Sequence, residues 1–206
     1  MLAKLLVAAA AATALSQALA PPVLPFLEWK ACPFEGCVYR RWIAQEKVQV
    51  FNTWEERRRP IAQLSRGDAV VGITGLVITS RPGRIRMDRD LPEQKLKAGD
   101  IILTYTNRGE GFSGAWLAGR YDPSFDISFT KWPDGSGCGG AHCAATYVDL
   151  GAKVWWAQIR LKSGRTGWVN MNTGKFDGLD MLARGRYQGR GGAVQVRVFL
   201  QGPKRA

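Results

Sequence analysis

The chain has 206 residues, 46% of them hydrophobic, and 29 Lys and Arg stand against 17 Asp and Glu for a formal net charge of +12. That length suits one large domain or two small ones, and beyond the first twenty residues no stretch is apolar enough to cross a bilayer as a helix. The charge turns the surface toward anionic partners; neither a phosphate-cradling Gly-x-x-x-x-Gly-Lys run nor a dinucleotide fingerprint is present, so no cofactor is expected.

Met1 to Ala20 carries one charge, at Lys4, then an apolar run from Leu5 to Leu15 and small residues at Ser16, Ala18 and Ala20. This is the pattern of a secretory signal peptide over 1–20; an apolar core of about eleven residues falls short of the roughly 20 a spanning helix needs. Pro21 hinders cleavage after Ala20, which favours the site after Ser16-Gln17-Ala18. The protein is therefore expected to be exported, periplasmic or extracellular, without a membrane span after cleavage. In such a compartment a basic surface meets envelope polymers, acidic lipids or acidic proteins, and nucleic acid is not expected.

An extended segment follows over 21–45, opened by the proline-rich PPVLPFLE, where each proline removes a backbone donor. It holds Cys32-Pro-Phe-Glu-Gly-Cys37; Cys138-Gly-Gly-Ala-His-Cys143 repeats that spacing far downstream. In an oxidising compartment four cysteines read first as disulfides, and two local loops, Cys32 with Cys37 and Cys138 with Cys143, are the simplest of three connectivities. Four thiolates on zinc, with His142 as a substitute ligand, are the alternative.

Val48 and Val50 alternate with polar neighbours as a half-buried strand does, and helix stays open for Arg41 to Glu46. Asn52 to Pro60 is a charged loop holding the densest positive run, Arg57-Arg58-Arg59. A repeat comes next: Leu64-Ser-Arg-Gly67-Asp68-Ala-Val70-Val71 returns 32 residues later as Leu96-Lys-Ala-Gly99-Asp100-Ile-Ile102-Leu103. In each copy Gly-Asp supplies a turn before an apolar strand, glycine through positive φ and aspartate by accepting from nearby backbone. Leu76 to Thr79 reads as strand, and Arg81-Pro82-Gly83-Arg84 as the turn of a hairpin into Ile85-Arg86-Met87. Tyr105 and Thr106 lead through a Gly-rich turn into the strand-like Phe112 to Leu117, and Gly119 to His142 reads as loop.

Trp155 to Val169, WWAQIRLKSGRTGWV, packs three tryptophans into fifteen residues around a Ser163-Gly164 turn and predicts a β-hairpin. A hairpin does not bury itself in water, so these rings need a small sheet or barrel. Adjacent Trp155 and Trp156 must face opposite sides; Trp155 shares phase with Ala157, Ile159 and Leu161, which leaves Trp156 as the first ligand-binding candidate, followed by Trp168, Trp116 and Tyr105. Arg57, Arg58 and Arg59 are the anion-binding candidates. Past 180 the chain turns to Arg and Gly, a basic extension over 181–206 in which Val194, Val196 and Val198 have strand alternation.

Val48-Gln-Val50, Leu64-x-x-Gly67-Asp68-x-Val70-Val71 and the hairpin closing on Gly167-Trp168-Val169 together resemble bacterial SH3-like (SH3b) domains. The early Cys-Pro-Phe-Glu-Gly-Cys-Val-Tyr-Arg is similar to that of a group of exported SH3-domain proteins of Gram-negative bacteria. The resemblance implies an all-β fold of SH3-like barrels, as two related units or one unit with a large insertion; the repeat places them at 46–90 and 91–180, the second with a long cysteine-containing loop. It also implies non-catalytic binding of peptidoglycan or an envelope protein; the basic charge adds an anionic polymer to the expected partners.

Catalysis has little material. His142 is the only histidine, and a zinc- or thiol-dependent enzyme would have to be built from Cys138, His142 and Cys143, which a disulfide would silence. Glu110, Asp122, Asp126 and Asp134 read as turn residues, since nothing in their spacing pairs them for glycoside cleavage.

Overall fold

The computed structural model describes residues 20–181. Apart from Ala20 and Met181, the expected leader and the basic extension with Val194, Val196 and Val198 lie outside the described residues. The rest is built from β1 (Phe26–Trp29), β2 (Arg41–Ala44), β3 (Val48–Phe51), β4 (Pro60–Leu64), β5 (Ala69–Arg81), β6 (Gly83–Met87) and β7 (Ile101–Gly109). Then come β8 (Phe112–Leu117), β9 (Arg120–Asp126), β10 (Thr130–Lys131), β11 (Ala145–Asp149), β12 (Ala152–Arg160), β13 (Thr166–Asn170) and β14 (Phe176–Asp177). The helical structure described is two short 3-10 turns, Pro92–Gln94 and Gly140–His142. Arg41 to Ala44, where helix was open, is strand β2.

These strands form two curled sheets, in the orders β14-β2-β5-β12-β13-β3-β4, with β1 alongside β5, and β10-β11-β6-β7-β8-β9. The same antiparallel path runs through both. In the first sheet β2, β5, β12 and β13 lie in succession and β14 returns to pair with β2; in the second β6, β7, β8 and β9 do so and β11 returns to pair with β6. The fold is thus all-β, with two units of SH3-like barrel connectivity.

The units are nested, not tandem, which corrects the boundaries at 46–90 and 91–180. β5 pairs with β12 from Val71 with Arg160 to Arg81 with Ala152, so the first unit is completed only after the whole second unit has been inserted between them. The hairpin expected around Arg81 to Arg84 does not form either: β5 and β6 belong to different sheets, and β6 pairs with β7 and β11. The reason is local. Pro82 brings no donor for a ladder bond, and a side chain at Gly83 would press on Thr104 and on the carbonyls of Asp149 and Leu150, so the chain crosses here from one sheet to the other. Gly119 to His142, read as loop, contains β9 and β10.

The repeat is a true structural duplication. Gly67 and Gly99 have φ of 90° and 91°, and each donates its N–H to the end of its unit's first strand, to Ala44 O at 2.8 Å and Met87 O at 2.9 Å. Trp42, Trp155, Val50, Val77, Ile159 and Val169 fill the first core, and Ile85, Met87, Ile102, Ala115, Phe129 and Tyr147 the second. Trp155 enters the first core with Ala157 and Ile159, while Trp156 stands on the opposite face, as the alternation requires.

An N-terminal staple joins the two units. β1 pairs antiparallel with β5, and its side chains alternate. Phe26 reaches the inserted unit, its ring 5.0 Å from Tyr105 and 5.4 Å from Tyr121, and Glu28 pairs with Arg108. The Cys32–Cys37 disulfide then turns a loop whose Phe34 ring sits 5.9 Å from Trp155, and Glu35 of that loop packs so closely on Gly109 that no Cβ fits there.

Candidate binding site

The site lies on the outer face of the first unit, where β12 and β13 meet the hairpin of β3 and β4. Leu76, Trp156 and Trp168 form a small cluster there, and Phe51, Trp54, Ile78 and Val154 pack on it. Trp29 comes across from β1 and sets its ring 5.8 Å from Trp54 and 6.2 Å from Trp168, both edge-on. It is 53% exposed, so the arrangement leaves an open indole held in place by two others.

Beside this ledge runs a groove of about 290 Å³ lined by Lys47, Gln49, Phe51, Arg58, Trp156, Asn170 and Thr173, with Val48 and Gly174 beneath. Three separate stretches of chain meet here because β13 pairs with β3 through Trp168 and Phe51. The Arg58 guanidinium lies 5.5 Å from the Phe51 ring centroid and 5.1 Å from that of Trp156, a double cation–π contact that holds a flexible side chain at the groove. Lys47 is exposed, no carboxylate lines the groove, and none of the ion pairs among the described residues engages Lys47, Arg57, Arg58 or Arg59. Gly174 fits tightly here, since a Cβ would sit 3.0 Å from Val48 and 3.3 Å from Phe176 and from the Asn170 carbonyl. An aromatic floor with cations and amide and hydroxyl groups is equipped to hold an extended, acidic, partly apolar ligand.

The expected site residues divide unequally. Arg57, Arg58 and Arg59 are all exposed on the loop between β3 and β4, and only Arg58 turns toward the groove. Trp156 shows the groove one edge but is only 4% exposed, and Trp168 at 8% is packed beneath Trp29. Tyr105 and Trp116 are not part of this site: they belong to the inserted unit, Tyr105 enclosed by Phe26 and Tyr121, Trp116 half-buried with its indole nitrogen covered. Burial pushes the Tyr121 hydroxyl up to about 12, helped by the Glu28 carboxylate. Trp29 and Trp54 escaped sequence reading because Trp29 follows a proline-rich lead-in and Trp54 sits in a charged loop; Phe26-Leu-Glu-Trp29 has no apolar-polar alternation, and its two aromatics were the signal for a strand.

Cys138 and Cys143 are joined to each other, as are Cys32 and Cys37, and His142 is exposed. Neither thiol beside His142 is a thiolate in this state, and the described residues contain no group of three or more His, Cys, Asp or Glu placed to hold a metal. Asp122, Asp126 and Asp134 each accept from a backbone N–H two residues on, which is turn chemistry.

Compared with models of known families, with curated proteins and with solved structures, the chain matches none. Its class is therefore defined by fold and site alone: an all-β protein of two nested SH3-like units, closed by two disulfides that fit an oxidising, non-cytoplasmic setting, with an aromatic and cationic groove on the first unit.

Proposed function

We propose that the protein is an exported, non-catalytic recognition module of the SH3b kind and that peptidoglycan is what its groove holds. The observation that carries this reading is Arg58 laid across Phe51 and Trp156 at a groove whose other cation is Lys47. Peptidoglycan offers what such a groove selects: extended stem peptides with free carboxylates, and sugar rings with apolar faces for Trp29 and Trp54. The leader-like first twenty residues and the two disulfides support an envelope location. Only the first unit carries the groove, because the connection that bears the β3–β4 hairpin in it is replaced in the inserted unit by the short 3-10 turn Pro92–Gln94.

Co-sedimentation with purified sacculi tests it. The protein is expected in the pellet at low salt, and the Lys47→Gln/Arg58→Gln double variant, altered only at exposed side chains, is expected to bind about tenfold more weakly. Wild-type protein left wholly in the supernatant at low salt, or a double variant that pellets equally well, overturns the reading.

A further inference from the structure

Among the described residues, eight large apolar side chains are exposed, and four of them, Val23, Leu24, Leu27 and Trp29, fall within one stretch of seven residues. Folding half-buries Phe26 and Glu28 of this stretch and leaves these four side chains open. Phe26 and Glu28 are drawn onto the inserted unit, by Tyr105 and Tyr121 and by Arg108, so the alternation of β1 presents Leu27 and Trp29 together on the opposite side. Val23 at 86% and Leu24 at 44% exposure precede the strand in the same short stretch of chain.

The rim of this patch is net basic: Lys30 is exposed next to Trp29, and after Trp54, whose ring Trp29 touches, the exposed Glu55 and Glu56 are followed by the exposed Arg57, Arg58 and Arg59. Aliphatic tips, an indole at the boundary and a cationic border are the parts of a surface that inserts shallowly among lipid headgroups: the valine and leucines enter the apolar boundary, the indole sits at the headgroup level, and the arginines meet anionic phosphates. A sugar chain has no use for valine and leucine.

We propose that Val23, Leu24, Leu27 and Trp29, bordered by Lys30 and Arg57–Arg59, dock the protein on an anionic phospholipid bilayer. The patch shares Trp29 and Arg58 with the surface proposed to hold peptidoglycan, whereas Val23, Leu24 and Leu27 belong to docking alone, and the test turns on these.

The test is co-sedimentation of the protein beginning at Leu19, free of the apolar run Leu5 to Leu15 that would itself enter a bilayer, with vesicles of phosphatidylglycerol and phosphatidylethanolamine, against vesicles of phosphatidylcholine alone. Binding to the anionic vesicles is expected, weakening about tenfold as salt rises and about tenfold again in Val23→Ser/Leu24→Ser, whose positions precede β1 and leave the fold intact. Brominated acyl chains are expected to quench wild-type fluorescence and to quench Trp29→Phe less. Sacculus binding by Val23→Ser/Leu24→Ser should stay at the wild-type level, which keeps this proposal distinct from that of the groove. Equal binding of wild type and Val23→Ser/Leu24→Ser to anionic vesicles, absence of binding to them, or loss of sacculus binding with vesicle binding retained would overturn it.

Discussion

Asp68 and Asp100 make the same hydrogen bond in two different barrels: each accepts, through Oδ2 at 2.8 Å, the backbone N–H three residues earlier, Ser65 in one case and Lys97 in the other. The two turns also close alike, Asp68 N–H to Ser65 O and Asp100 N–H to Lys97 O, both at 3.0 Å. Replacing either aspartate by alanine is expected to lower stability by about 1 kcal/mol. Because the turns belong to different units, the double variant should lose the sum to within about 0.5 kcal/mol in urea denaturation. A strongly non-additive result would mean that the units do not keep separate turns.

Gly72 and Gly75 in β5 are held by contact with the first core. A Cβ on Gly72 would lie 2.6 Å from the Trp42 ring, and one on Gly75 would strike the Tyr39 hydroxyl and the Ala31 carbonyl, 2.7 Å from Trp155 Nε1. Gly72→Ala is expected to destabilise by about 1–3 kcal/mol, since a buried indole has nowhere to go, and Gly75→Ala by at least as much because it meets backbone. Gly164→Ala, with nothing near its Cβ but a φ of 81°, should show only the smaller backbone penalty of about 1 kcal/mol.

Lys153 makes stability depend on pH. Its ammonium donates to Leu150 O at 2.9 Å, and burial, with the Arg81 charge nearby, pushes its pKa down to about 8 from 10.5. The unfolded chain keeps that proton up to 10.5, so above pH 8 unfolding takes up a proton and the native state gains stability as pH rises; the penalty is fully present below 8. Tyr39 and Tyr147, both pushed up to about 12 by burial, act in the opposite sense, contributing stability below 10 that is lost as pH climbs through 12. Between about pH 7.5 and 9.5 the lysine dominates. The urea midpoint should rise over that interval in the wild type and stay flat in Lys153→Met.

The two disulfides should differ in reach. Each closes a loop over a sequence separation of 5, for which chain entropy gives about 2 kcal/mol. Cys32→Ser/Cys37→Ser also loosens Phe34 from Trp155 and Glu35 from Gly109, so limited proteolysis should open cleavage sites in both units. Cys138→Ser/Cys143→Ser leaves a loop that Arg89 still grips through the carbonyls of Ala141 and Cys143, at 2.7 and 3.1 Å, and new cleavage should stay near that loop.

The all-β class was legible because Trp155 to Val169 writes its hairpin locally and Gly67-Asp68 and Gly99-Asp100 mark two strand starts. Insertion was one of two arrangements the sequence left open, because two copies in succession also read as tandem; the pairing of β5 with β12, between residues about 80 apart in places, decides that the first copy is interrupted. The groove was hidden for a related reason. Lys47, Arg58, Trp156 and Thr173 are brought together by sheet order, and no local spacing encodes that meeting. Of the aromatics that sequence favoured, Trp156, Trp168 and Tyr105 are strand residues that the sheets bury and Trp116 is half-buried, whereas Trp29 stayed open on a short strand.

The side-by-side crossings, where a Cβ on Gly151 would sit 2.6 Å from Gly83 N, carry a consequence for how this protein is made. The central ladder of the host barrel pairs strands on either side of the guest and cannot zip until the whole guest has been synthesised, so a guest that folds early brings the two halves of its host to one another. The guest should therefore tolerate excision and replacement by a tight turn, while the host tolerates no damage to the guest that keeps its two ends apart.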